Sequence, residues 1–202
     1  MHKAIKILIA SSIFYNMAAG LLGPIWAIYV GTVGGSILDA GSAYAVYTFF
    51  VGLLMLVLGR LEDKLNRRVM FVFGRFLNFV GTTGYLFVTN ITELFIVQGV
   101  LGAALAIINP TFTTIYSKSI DKGRESSEWA YWEGSVHIMY SIVAFSGGVI
   151  ASLYGFRTLF ILMSIASLCS LIVSLLLLKK KIKNEILVIE GKKKVKTGKK
   201  MK

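Results

Sequence analysis

The stretch Gly59-Arg60-Leu61-Glu62-Asp63-Lys64-Leu65-Asn66-Arg67-Arg68 decides how this chain is read. It is the densest charged cluster ahead of the C-terminal tail, and apolar runs flank it at 43–58 and 69–88. A short charged segment between two such runs reads as a tight loop joining two membrane-spanning helices.

Working outward, the rest of the chain repeats that pattern. Apolar residues make up 55% of the 202 residues and charged residues 16%, with a mean hydropathy of +0.71. A water-soluble domain of this size needs less apolar surface than that, whereas a bilayer requires it. Six hydrophobic spans fall at 7–30, 43–58, 69–88, 94–116, 129–153 and 158–178, each near the roughly 20 residues needed to cross hydrocarbon. The expected architecture is all-α and membrane-integral, with a six-helix transmembrane domain over 1–178 and a basic cytoplasmic tail over 179–202.

The formal charge of +12 is unevenly spread. Eleven of the 22 basic residues lie from Lys179 onward, so the basic balance describes a tail rather than a nucleic-acid-binding domain. Loops and termini on one side hold every other basic residue except Arg157. That asymmetry puts both termini in the cytoplasm and the chain in the cell membrane as a multi-pass protein. The tail itself fits either a solvated, disordered segment or an arm held to anionic lipid.

The charged loop has a more specific order. A glycine, a leucine two residues on, an aspartate and a basic residue, then Arg67-Arg68, resemble the loop between helices 2 and 3 of the major facilitator superfamily. The family usually has a second glycine where this chain has Asn66, a residue that tolerates a left-handed turn. Gly20-Leu21-Leu22-Gly23-Pro24-Ile25 resembles the family's first helix, and Gln98-Gly99-Val100-Leu101-Gly102 a motif of its fourth. Gly155-Phe156-Arg157-Thr158-Leu159-Phe160 is similar to the entry to its sixth. The family often carries an arginine three residues before the glutamine. Phe95 stands there in this chain, so no role of that arginine carries over.

The resemblance implies one half of a twelve-helix fold, closest to the N-terminal half. With an even number of spans, two copies can pair in parallel about an axis along the membrane normal. The expectation is a natural half-size protein acting as a homodimer, although a twelve-helix protein cut after its sixth helix would read the same way. The resemblance also places spans 1 and 4 along a central cavity, spans 2 and 5 between halves, and Gly59, Asp63, Lys64, Arg67 and Arg68 in a cytoplasmic latch.

Polar side chains within the spans are the remaining candidates, because they are expensive there. Span 1 carries Ser12 and Asn16, with Trp26 near its end, and span 4 carries Gln98, Asn109 and Thr113. Two readings fit these stripes: close helix packing, or the lining of a substrate cavity. Pro110 is expected to break or bend span 4 beside Asn109. Glu133 and His137, one helical turn apart in span 5, read either as a proton-coupling pair or as an interfacial acid beside a hydrogen-bonding imidazole. Arg75, Asn78 and Thr82 form a stripe on span 3, with Arg75 expected to snorkel to the surface.

No nucleotide-binding glycine pattern, metal-ligand spacing or catalytic triad is legible, so no cofactor, metal site or enzyme activity is expected. The function expected is secondary transport of a small solute by alternating access, with the bilayer, the solute and a second copy as partners and no nucleic acid. Two alternatives stand beside it: a non-transporting membrane scaffold with a working polybasic tail, and a half-transporter needing a different partner half.

Overall fold

A computed structural model describes residues 3–62, 65–121 and 123–179. Their regular structure is helical. Helix α1 (Lys3–Leu22) passes through a single 3-10 turn at Gly23–Ile25 into the short α2 (Trp26–Thr32). Then come α3 (Ile37–Glu62), α4 (Arg67–Gly84) with a closing 3-10 turn at Tyr85–Phe87, α5 (Ile91–Ser119) and α6 (Glu125–Leu175) with a last turn at Leu176–Leu178.

The helix starts follow from local chemistry. At α3, Asp39 Oδ2 accepts the Ser36 N–H at 2.7 Å while Ser36 Oγ accepts the Asp39 N–H at 3.3 Å. At α5, Asn90 Oδ1 accepts the Glu93 N–H at 3.0 Å and Glu93 reaches back to the Thr89 N–H at 2.7 Å. Each exchange satisfies N–H groups that a helix end leaves without partners. Asn66 does not adopt the left-handed conformation that the missing glycine suggested. Its φ is −74° and its side chain accepts the Arg68 N–H, so it caps α4.

By length and composition, four stretches among the described residues can cross a membrane: Ala4–Thr32, Ile37–Gly59, Ile91–Ser119 and Glu125–Leu178. Six separate spans are therefore not recovered. α4 is short and carries Arg67, Arg68 and Arg75 within its 18 residues. The expected fifth and sixth spans lie in the single run of α6, interrupted at Gly155 by φ 79° and ψ 168°. That backbone conformation is open essentially to glycine alone. Packing reveals a reversal there. Before Gly155, α6 runs alongside α1 in the same direction, with Tyr140 at Asn16 and Gly147 at Leu21. After it, α6 runs the opposite way, with Phe160 at Tyr29 and Ser170 at Ser11. Pro110 does not break α5, which stays helical through it.

Two apolar clusters hold the bundle, one toward each end. The first joins Ala4, Ile5, Ile7 and Leu8 of α1 with Phe71, Ile108, Ile115, Tyr116 and Leu177. The second joins Leu22, Tyr29, Val30, Tyr85, Leu94, Leu159 and Phe160. Between them lies a layer of polar contacts. Ser170 Oγ donates to the Ser11 carbonyl at 2.7 Å, Ser11 Oγ donates to the Ser170 carbonyl at 2.9 Å, and the hydroxyls of Thr82 and Ser167 are 3.0 Å apart. Interhelical bonds of this kind contribute about 0.6 kcal/mol each in lipid.

α4 is turned inside out relative to a helix of a water-soluble protein. Arg68, Arg75, Asn78 and Thr82 are buried while Val69, Phe73, Phe76 and Val80 are exposed. In water that arrangement would expose apolar area and dehydrate charge at once. Against lipid it is the favourable orientation.

Candidate functional site

The polar face of α4 forms the floor of two cavities between α1 and α5. One, of about 330 Å³, is lined by Tyr15, Leu22, Trp26, Tyr47, Asn78, Thr82, Tyr85 and Gln98 among others. The second, of about 270 Å³, takes in Ser12, Tyr15, Asn16, Arg75, Asn109, Phe112, Thr113, Trp129, Trp132, Glu133, His137 and Tyr140. Tyr15 lines both.

The residues expected to line one path are thus divided. Asn16, Asn109 and Thr113 share the second cavity with Glu133 and His137, whereas Trp26 and Gln98 line the first. Asn16 Oδ1 accepts a hydrogen bond from the Tyr140 hydroxyl at 3.2 Å, which links α1 to α6 across the cavity edge. Gln98 is buried and donates to the Tyr85 hydroxyl at 3.0 Å. Trp26 Nε1 donates to the Ala40 carbonyl at 3.2 Å, which ties α2 to α3, and its ring meets Tyr85 edge-on. Trp26 and Gln98 therefore have structural partners as well as a cavity surface. Asn109, Thr113, Glu133 and His137 are open to the cavity, and their side chains are free to meet what enters it.

Arg75 does not reach the surface as a snorkelling residue would. It is 1% exposed. Its Nη2 donates to Ser12 Oγ at 2.7 Å, and its guanidinium carbon sits 4.4 Å from the centre of the Tyr15 ring and 4.6 Å from that of Phe71. An arginine facing lipid at a helix centre costs about 2.5–3.5 kcal/mol. Turning inward exchanges that cost for one charge-assisted hydrogen bond and two ring faces, each ring contributing up to about 2 kcal/mol where water is excluded. Arg75 Nε and Nη1 and Asn78 Oδ1 have no hydrogen-bond partner among the described residues.

Sequence reasoning thus placed Arg75, Asn78 and Thr82 on one face but did not assign them to the cavity. The signal was present in the opposite face, where Phe73, Phe76 and Val80 leave the polar side no direction but inward. Tyr85 and Tyr47 had no such signal, since single tyrosines occur throughout apolar spans.

Of the charged loop, Gly59 lies in the last turns of α3 and Arg67 and Arg68 open α4, with Arg68 buried. Asp63 and Lys64 lie outside the described residues, as does the tail beyond Lys179.

Comparison with known proteins identifies the family. The family profile described as Major Facilitator Superfamily matches residues 8–200. An uncharacterized MFS-type transporter of Methanocaldococcus jannaschii is 22% identical over 174 residues, which covers 86% of this chain and 45% of that protein. The quinolone resistance protein NorB of Staphylococcus aureus strain bovine RF122 / ET3-1 is 33% identical over 135 residues, 64% of this chain and 28% of that protein. NorB of strain JH9 matches to the same extent. The chain spans less than half the length of these relatives. The chain belongs to the major facilitator superfamily, a family of multi-pass membrane transporters rather than enzymes.

Proposed function

We propose that this chain forms half of the path of a secondary transporter, crosses the membrane six times and works by alternating access as a parallel pair. The observation that carries the reading is the inside-out α4. Its polar residues floor cavities that Asn16, Asn109 and Thr113 help to line, while apolar side chains point outward.

Helix lengths support six crossings. The 51 residues of α6 would extend about 75 Å if straight, more than twice the hydrocarbon thickness. A reversal at Gly155 resolves this into two crossings. α4 with its closing turn supplies another, its arginines turned inward or toward one end. Both termini then lie on one side, and the concentration of basic residues there assigns it to the cytoplasm.

Pairing is supported by what the half leaves uncovered. Along α3, Tyr44, Phe49, Leu53, Leu56 and Val57 are exposed, and along α6 Ile138, Ile142 and Phe145 are exposed. A second copy would cover part of this surface and close the cavities from the other side. In that arrangement Asp63 meets the start of α6 in the partner, where unpaired N–H groups and the helix dipole favour a carboxylate.

Glu133 and His137, on the wall of the Arg75 cavity, are the proposed proton-coupling pair. A quinolone is the solute to test first, because staphylococcal relatives are named for quinolone resistance. Purified protein in liposomes should move a fluorescent quinolone faster than empty liposomes, and a pH gradient should drive the movement uphill. Equal rates with and without protein would contradict this solute and this coupling. Pairing is read in the same preparation. Cysteines at Asp63 and Ser127, in a Cys169→Ala background, should cross-link between subunits, whereas cross-linking within one chain would contradict the pair.

A further inference from the structure

We propose that Arg75 is the anion-recognition group of its cavity and that the solute bound there carries a planar oxyanion, a carboxylate on a small aromatic or apolar body. The inference deepens the transporter reading and rests on it for calling the anion a solute.

Three observations converge. First, Arg75 is buried, and two of its nitrogens, Nε and Nη1, have no hydrogen-bond partner among the described residues. A guanidinium removed from water with donors left over is a costly arrangement unless something supplies acceptors. Secondly, Arg75 is among the residues lining the same cavity as Asn109, Thr113 and Tyr140, with Nε and Nη1 covered by neighbouring side chains that a ligand must displace. Nη2 carries two N–H groups and gives one to Ser12; the other, with Nε on one side or Nη1 on the other, forms the planar donor fork that meets the two oxygens of a carboxylate side by side, a match that lysine cannot make. Thirdly, Ser12 and the rings of Tyr15 and Phe71 already hold the guanidinium in place. The group is fixed before the ligand arrives, so little freedom remains to be lost on binding.

The rest of the wall sets the body of the ligand. Phe112, Trp129, Trp132 and Tyr140 supply ring faces, and Asn16, Asn109 and Thr113 supply polar edges. The volume of about 270 Å³ lies just under the roughly 300 Å³ at which drug-sized pockets begin, which suits a small organic acid.

Calorimetric titration of the purified full chain in detergent tests this with benzoate and its uncharged isostere benzamide. Benzoate should bind the unaltered protein, and benzamide should bind at least about tenfold more weakly, the loss expected for charge-assisted bonds. Arg75→Gln should weaken benzoate by at least about the same factor. Arg75→Lys, which keeps the charge and loses the fork, should fall between. Equal binding of benzoate and benzamide would overturn the proposal. So would an unaltered, monodisperse protein that binds no benzoate, or an Arg75→Gln protein that binds it as before. Should Arg75→Gln fail to fold, the comparison of the two ligands on the unaltered protein still decides. Binding is read apart from flux: benzoate binding without liposome transport retains the site and removes the transporter reading, and transport with Arg75-independent binding does the reverse.

Discussion

Glu133 and His137 stand one turn apart on α6, and both side chains are open to the Arg75 cavity. A carboxylate and an imidazole so placed can pass a proton between a membrane cavity and the solute path. In the liposome assay, Glu133→Gln should abolish uptake driven by a pH gradient and spare exchange of solute for solute. Equal loss of both modes would mark Glu133 as a structural residue instead. The spacing of this pair was legible in the chain, because helical periodicity fixes which residues share a face. Arg75 was legible only in part. Its stripe with Asn78 and Thr82 could be seen, yet a basic residue about two turns from a helix start can turn either to the headgroups or to the interior. Ser12, Tyr15 and Phe71 decide the matter, and two of these come from another helix.

At the scale of elements, glycines locate the closest helix crossings. Gly147 of α6 meets the Leu21 carbonyl of α1, and a methyl group there would collide with backbone. Gly148, its neighbour, faces open space. Gly147→Ala should therefore lower stability in detergent by about 1–3 kcal/mol. Gly148→Ala should be neutral or raise stability by up to about 1 kcal/mol, through the better helix propensity of alanine. Thermal unfolding of the two proteins checks this, and equal midpoints would contradict the crossing. The apolar runs were readable from hydropathy, but the starts were not: the Ser36–Asp39 and Asn90–Glu93 pairs begin α3 at Ile37 and α5 at Ile91, ahead of the expected 43 and 94. Nor was the path of α5 through Pro110. Proline removes one backbone donor and crowds the preceding turn, but in a membrane bundle neighbouring groups can take up the freed carbonyl. The lost bond alone therefore does not forecast a break.

For the whole molecule, the charged loop and its flanking runs were enough to suggest the family, since a bilayer leaves few ways to arrange long apolar spans. The division of the polar residues between two cavities was not readable. It depends on where α1 and α5 part, and that follows from packing between helices rather than from any one of them. The central claim is that polar groups inside this bundle meet water while apolar groups of the same helices meet lipid, and that the water reaches them from alternate sides. Labelling with a membrane-impermeant thiol reagent tests it most directly, in a Cys169→Ala background with a single cysteine at Thr113 or at Phe76. Thr113→Cys lies on the cavity wall and should react from either face of the membrane. Phe76→Cys, beside Arg75 in sequence but on the exposed apolar side of α4, should react from neither. Labelling of Phe76→Cys to the same extent, or of Thr113→Cys from one face only, would contradict the account.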